Sequence, residues 1–448
     1  MRLLPAWLLA ATACASQHAL STRMLDSIMA RQQGIVDSGA ASSTLESGIL
    51  AQAFEYAMAQ YPAAKARYGG YLSSVLDKAS ASFANASYAA TRPLDRFTLA
   101  TAIDAALASH AGPVTARSRA AYAAINASLA LQPRNPAGGL WYYVYPEWSY
   151  LDGMFSLLPF MAALPRANLS DARHQVELLR DRCTQQNTSL LVHGYDWSRT
   201  AAWADPATGA SPYVWGRSLG WFLAGLVQAW DRLACAAADD DAAQQPADRV
   251  ALCSLVRNIT VQVSGALVRH ADPATGAWWQ IVTLPGVGAN YLESSSTALF
   301  TFAILKALRT GLLCGRTPDY RGTALRAYNY TVGRFVTDTG NGTIGFDKTV
   351  SVCSLNSSAS FEYYTTRPLV PNSLLGESAF VLAALEVERL ANADMARKDG
   401  NGPPIPAQAN DATSKHGAEL KPIGAAELPN GNARQQVGGA PLRASLQA

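Results

Sequence analysis

From Leu45 onward the apolar positions fall three and four residues apart, with Leu45, Ile49, Ala53, Tyr56 and Ala57 the first set. That spacing lays side chains in one stripe along a helix. The same pattern recurs over residues 97–110, 115–131, 148–163, 170–189, 215–236, 247–269, 293–313, 320–338 and 374–391, with a shorter stretch near 71–82. About a dozen helices are therefore predicted. Alternating strand patterns are scarce, and the loops between helices hold the Gly, Pro and Trp clusters.

Roughly 350 residues of successive helical hairpins bury a core as one all-α domain, either as a solenoid or as a closed ring. No repeat of fixed period is legible, which disfavours common solenoids. A ring of inner and outer helices over residues 41–395 is expected, with its site in the loops at one end. Residues 16–40 are small and polar and read as a lead-in. Beyond 396 the chain turns rich in Gly, Pro, Asn and Ala, a composition that cannot bury enough apolar surface to offset chain entropy. A disordered tail over 396–448 is expected, and its polar end argues against a GPI signal.

The N-terminus changes the picture of where this ring works. Arg2, the apolar run 3–13 and small residues around Ala15 make residues 1–15 a secretory signal peptide. No later segment offers about 20 uninterrupted apolar residues, so a secreted, extracellular protein with no membrane partner is expected. Eight Asn-X-Ser/Thr sequons, at Asn85, Asn126, Asn168, Asn187, Asn258, Asn329, Asn341 and Asn356, point to a glycosylated product. After Cys14 leaves with the signal, five cysteines remain, allowing at most two internal disulfides; their scattered spacing carries no metal signature. A formal charge of +3 without a basic run argues against nucleic acid. It leaves room for an acidic substrate, because one placed arginine binds a carboxylate.

Candidate chemistry concentrates in residues 193–221, which hold His193, Asp196, Arg217 and four tryptophans including Trp215 and Trp221. Aromatic faces, a carboxylate and a guanidinium suit a sugar ring bearing an acidic group. Each residue alone has a plainer reading: Asp196 as a turn residue, His193 as a satisfied core histidine, the tryptophans as core. Asp152 falls in the first turn of the 148–163 segment, where a carboxylate is favoured by the helix dipole. Glu293, Ser294 and Ser295 open another apolar helix and read equally as caps. Ser295 has no G-x-S-x-G elbow around it, and no Walker loop or H-E-x-x-H motif is present, so no metal or cofactor is expected.

The segments YPEWSYLDGMFSLLPFMA, HGYD, VWGRSLGWFLAGLVQAWD, GAWWQIV, NYLESSSTALFTFAILKAL and PNSLLGESAFVLAALE follow one another over residues 140–390. In these motifs the chain resembles glycoside hydrolase family 105, the unsaturated rhamnogalacturonyl hydrolases, and more distantly the unsaturated glucuronyl hydrolases of family 88. The resemblance implies an (α/α)6 barrel. It also implies a substrate with a 4,5-unsaturated uronic acid at the non-reducing end of a pectin-derived oligosaccharide. An aspartic acid protonates C4 of the enol ether, water adds at C5, and the hemiketal collapses to release the aglycone. By motif, Asp196 matches the general acid/base and Asp152 the second essential aspartate; His193, Trp215, Arg217 and Trp221 match pocket residues. Arg217-Ser218-Leu219-Gly220-Trp221 departs from the family's R-G-N-G-W. The expected partner is the oligosaccharide, bound by a monomer. Another (α/α)6 glycosidase acting on saturated glycans, or a non-catalytic carbohydrate-binding protein, are the competing readings.

Overall fold

The computed structural model describes residues 19–36, 42–110, 112–164, 168–236, 246–315 and 317–398. Six helices, Ser43–Gln60, Arg96–Ser109, Gly153–Ala163, Gly216–Arg232, Ser294–Arg309 and Leu374–Lys398, each pack against the next, and the last packs against the first. Most of their residues are buried, as expected of helices that are apolar nearly all round. Six others, Leu20–Ala30, Lys65–Ser80, Ala116–Ser128, Leu169–Cys183, Ala247–His270 and Tyr320–Arg334, alternate with them along the chain and cover the ring from outside. This is the (α/α)6 barrel. Leu169–Cys183 shows the outer type: Ala172, Val176, Leu179 and Cys183 are buried at helical spacing while its charged residues face outward.

The segment read as a lead-in supplies the twelfth helix. Leu20–Ala30 buries Met24, Leu25 and Ile28 against Leu374–Lys398, so its few apolar residues sit on one face and close the ring. The final helix continues to Lys398, past the 391 and 396 boundaries. The signal peptide expected over residues 1–15 and the disordered tail expected over 396–448 fall on residues outside the described ones, apart from 396–398. By length and composition Ala247–His270 could cross a membrane, but here it is an outer barrel helix, tied through a Cys235–Cys253 disulfide and packed on Gly216–Arg232. Cys183, Cys314 and Cys353 are free thiols.

The helix predicted over 148–163 begins only at Gly153. Trp148–Tyr150 is instead a strand, antiparallel to Gly194–Asp196 with Trp148 opposite Asp196 and Tyr150 opposite Gly194. Similarly, the 170–189 and 320–338 patterns end as helices at Cys183 and Arg334 and continue into short antiparallel hairpins. Close approach of inner helices explains one glycine in the Arg217–Trp221 motif: a Cβ at Gly220 would stand 2.9 Å from Leu299 Cβ, so a larger residue would push the two helices apart.

Candidate active site

The N-terminal ends of five of the six inner helices meet at one cavity of about 170 Å³. Ser42, Asp95, Asp152 and Trp215 are the residues immediately preceding four of these helices, and Leu375 lies in the first turn of the sixth; all five line it. Helix N-termini carry partial positive charge, so an anion is favoured there. Neither aspartate is spent on capping its helix. Two buried carboxyl groups, both free of capping bonds, therefore face one largely apolar, aromatic-lined space.

Asp152 is placed by the strand pair. Leu151 N donates to His193 O at 3.0 Å, which brings His193 beside Asp152, with Nε2 3.3 Å from Oδ2 but short of hydrogen-bond alignment. His193 Nδ1 lies 2.7 Å from the Tyr364 hydroxyl. Burial raises that phenol far above its usual range and keeps it protonated, able to donate to Nδ1 and leave the Nε2 proton on the Asp152 side. Ser218 Oγ donates to Asp152 Oδ2. Ser218 is one of the two residues, with Leu219, at which the chain departs from R-G-N-G-W, and it fixes one oxygen of Asp152.

Asp95 is the cavity's second carboxyl group, and the sequence motifs had not singled it out. Tyr142 donates to its Oδ2 at 2.8 Å, while Oδ1 is buried with no partner among the described residues. Burial, then the charge of Asp152, lifts its pKa from 3.8 to about 7, against the lowering pull of Tyr142 and Arg96. Because folded Asp95 holds its proton more tightly than the unfolded chain does, stability falls as pH rises from about 4 to about 7 and levels off above. The slope from this group is at most about 1.4 kcal/mol per pH unit. Asp95→Asn removes it: the wild-type minus variant difference in chemical-denaturation stability should shrink across that window, and a pH-independent difference would refute the assignment.

Trp215, Arg217 and Trp221 line the cavity as expected. Trp215 is held by its Nε1 donating to Gln280 Oε1 at 3.1 Å, and Gln280 donates onward to Tyr364 O at 3.0 Å. Arg217 is buried, with its guanidinium 4.9 Å from the Trp215 ring centre. Its Nη1 donates to Val350 O and its Nη2 to Ser351 O at 2.7 Å. The same loop is held by Glu293, which accepts from Val350 N at 3.0 Å and from Ser296 N at 2.7 Å. Glu293 thus works as a cap and loop anchor, and Ser295 Oγ is occupied in donating to it.

Asp196 lies elsewhere. It is three residues beyond His193 on extended chain, about 10 Å along the strand and on the opposite face. Its Oδ1 accepts from Ser198 N at 2.9 Å and Ser198 Oγ at 2.7 Å; its Oδ2 accepts from Thr200 N and Ala201 N, both at 2.8 Å. Gly209, at φ +78°, turns the loop back so that its carbonyl accepts from Asp196 N at 2.9 Å. A side chain there would collide with Asp196 O. The expectation that Asp196 shares a pocket with Asp152 is corrected: its carboxylate is the hub of the 196–210 loop, and Asp95 occupies the place beside Asp152.

This geometry has recognisable relatives. The profile described as Glycosyl Hydrolase Family 88 matches residues 22–391, from the first described helix into the last. The chain belongs to glycosyl hydrolase family 88. Its fold is that of a Clostridium acetobutylicum family 105 glycoside hydrolase, at 24% identity and TM-score 0.70 over 83% of this chain and 100% of that one. It is also that of an unsaturated glucuronyl hydrolase from Bacillus sp. GL1, at 12% identity and TM-score 0.54 over 79% and 88%. Among curated relatives, Protein Atu3128 of Agrobacterium fabrum is 38% identical over 126 residues, 28% of this chain and 48% of its own length. The match thus spans about half of that relative.

In this family 88 member Arg217 has two structural bonds as well as a cavity face. Arg217→Lys should raise KM by about 10- to 100-fold, the equivalent of one charge-assisted bond, with a smaller change in kcat. It should also lower the melting temperature, because a lysine cannot reach both carbonyls. An unchanged KM would remove Arg217 from substrate binding.

Proposed function

We propose that the chain is a secreted hydrolase that removes a 4,5-unsaturated uronic acid from the non-reducing end of pectin-derived, rhamnogalacturonan-type oligosaccharides. The observation that carries this reading is the pair Asp152 and Asp95, both buried, neither capping a helix, in one cavity with Arg217. Ser218 occupies Asp152 Oδ2, so Oδ1 is the oxygen left to carry a proton to C4. Protonation makes C5 cationic; water adds there and returns a proton to Asp152, restoring the acid. The unpartnered Oδ1 of Asp95 is available to a sugar hydroxyl or the attacking water, donating while Asp95 holds its proton and accepting once it is ionised. Arg217 and the helix N-termini suit the uronate carboxylate. The hemiketal then opens and the aglycone leaves.

Export is supported by two features. All eight sequon asparagines are exposed, which a glycan needs. The Cys235–Cys253 disulfide fits an oxidising compartment. We read the chain as acting as a monomer on this oligosaccharide. The test is to give purified protein unsaturated galacturonyl-rhamnose and unsaturated digalacturonate and follow the ultraviolet absorbance of the conjugated double bond. Loss of absorbance with release of the aglycone is expected. Release from saturated analogues with no absorbance loss from either unsaturated substrate would favour an ordinary glycosidase instead.

A further inference from the structure

The cavity contains a second arginine that the proposed chemistry leaves unused. Arg92 lines it, as do Pro93 and Asp95 from the same stretch of chain. Its backbone is fixed: Arg92 N donates to Ala89 O at 3.0 Å, its carbonyl accepts from Arg96 Nη1 at 2.8 Å, and Pro93 follows. Its guanidinium makes no hydrogen bond or ion pair among the described residues and rests 5.9 Å from the Tyr88 ring centre. Nor does it serve to balance Asp95, whose charged neighbours are Asp152 and Arg96. Arg217, by contrast, is fully buried and is already held by the Val350 and Ser351 carbonyls. One uronate ring presents one carboxylate, and one arginine accounts for it.

We propose that Arg92 binds a second carboxylate, carried by the aglycone, so that the preferred substrates are oligouronides with an acidic sugar following the unsaturated ring. This rests on the reading of the cavity as a site for unsaturated uronides. A part-buried arginine with no polar partner among the described residues, on a backbone held by hydrogen bonds, suits the selection of an anion: little order is lost on binding, and a neutral aglycone brings it no gain. The acidic sugar can be the first of the aglycone, as in a galacturonan, or the second, as in alternating rhamnogalacturonan; the chemistry recognised is the same.

Three unsaturated substrates separate the cases: digalacturonate, galacturonyl-rhamnose, and the tetrasaccharide that places a galacturonate after the rhamnose. For the wild type, kcat/KM should be about 10- to 100-fold higher on at least one acid-bearing substrate than on galacturonyl-rhamnose, chiefly through KM, and the ratio should fall with added salt. Which of the two acid-bearing substrates is favoured assigns the position. In Arg92→Gln the ratio should approach one, and in Arg92→Glu it should drop below one. A wild-type ratio near one, or a variant that lowers all three substrates equally, overturns the proposal while leaving the hydrolase reading intact. If no substrate turns over, the hydrolase reading fails by itself. Calorimetric titration with saturated digalacturonate and saturated galacturonyl-rhamnose then decides the Arg92 assignment by binding: wild type must prefer the former and Arg92→Gln must lose that preference.

Discussion

Asp152→Asn lowers kcat by at least about 100-fold, and by up to about 10⁴-fold, the range for a positioned general acid. Asparagine fills the same space, and its carbonyl oxygen can still accept from Ser218 Oγ, so the fold and the neighbouring His193 stay in place. What is lost is the transferable proton. Trp215, Trp221 and Arg217 remain on the cavity wall, so substrate still binds, and calorimetry on the variant should return an affinity within a few-fold of wild-type KM. The measurement is the rate of absorbance loss under saturating substrate. A variant that retains near wild-type kcat would mean that the proton comes from another group, with Asp95 the next to test.

Asp196→Ala produces the opposite pattern. Its carboxylate takes four donated bonds in a fully buried position, three of them from backbone N–H groups that have no other partner in the loop. Removing it orphans those donors, at a cost of about 1–3 kcal/mol each. The total should be about 3–5 kcal/mol once the loop relaxes, lowering the melting temperature by roughly 4–6 °C in a domain this large. Asp196→Asn rescues little, because its amide NH₂ meets donors where an acceptor is needed. For either variant, kcat per folded molecule should fall far less than in Asp152→Asn. A well-folded Asp196→Asn protein with kcat down 100-fold would return the acid role to Asp196.

The contrast between these two aspartates shows what the chain made legible. Eleven of the twelve barrel helices follow from three-four spacing, because inner and outer helices alike must present apolar stripes. Leu20–Ala30 escaped because only Met24, Leu25 and Ile28 mark its buried face. The site was harder. Asp196 looked catalytic because it stands among His193, Tyr195 and Trp197, yet neighbours along an extended strand alternate faces, and proximity in sequence is not proximity in space. Asp95 was missed, although a signal existed: Leu94-Asp95-Arg96-Phe97 and Leu151-Asp152-Gly153-Met154-Phe155 both place Leu-Asp immediately before an inner helix. Only the closure of the ring turns that echo into a pair. The strand pairing of Trp148–Tyr150 with Gly194–Asp196, which delivers His193 to Asp152, was hidden inside a stretch whose apolar spacing reads equally well as helix.

The convergence of the inner helices on one cavity has a consequence for how the protein comes into being. Ser42 and Leu375, separated by more than 300 positions in the chain, stand on the same cavity wall. While the chain is still being made, every wall but the last can be in place and the site will still be open on one side until Leu374–Lys398 docks between its two inner neighbours. Any product cut short before residue 374 is therefore an incomplete cup rather than a weakened enzyme, and catalysis should begin only once Leu374–Lys398 has been made.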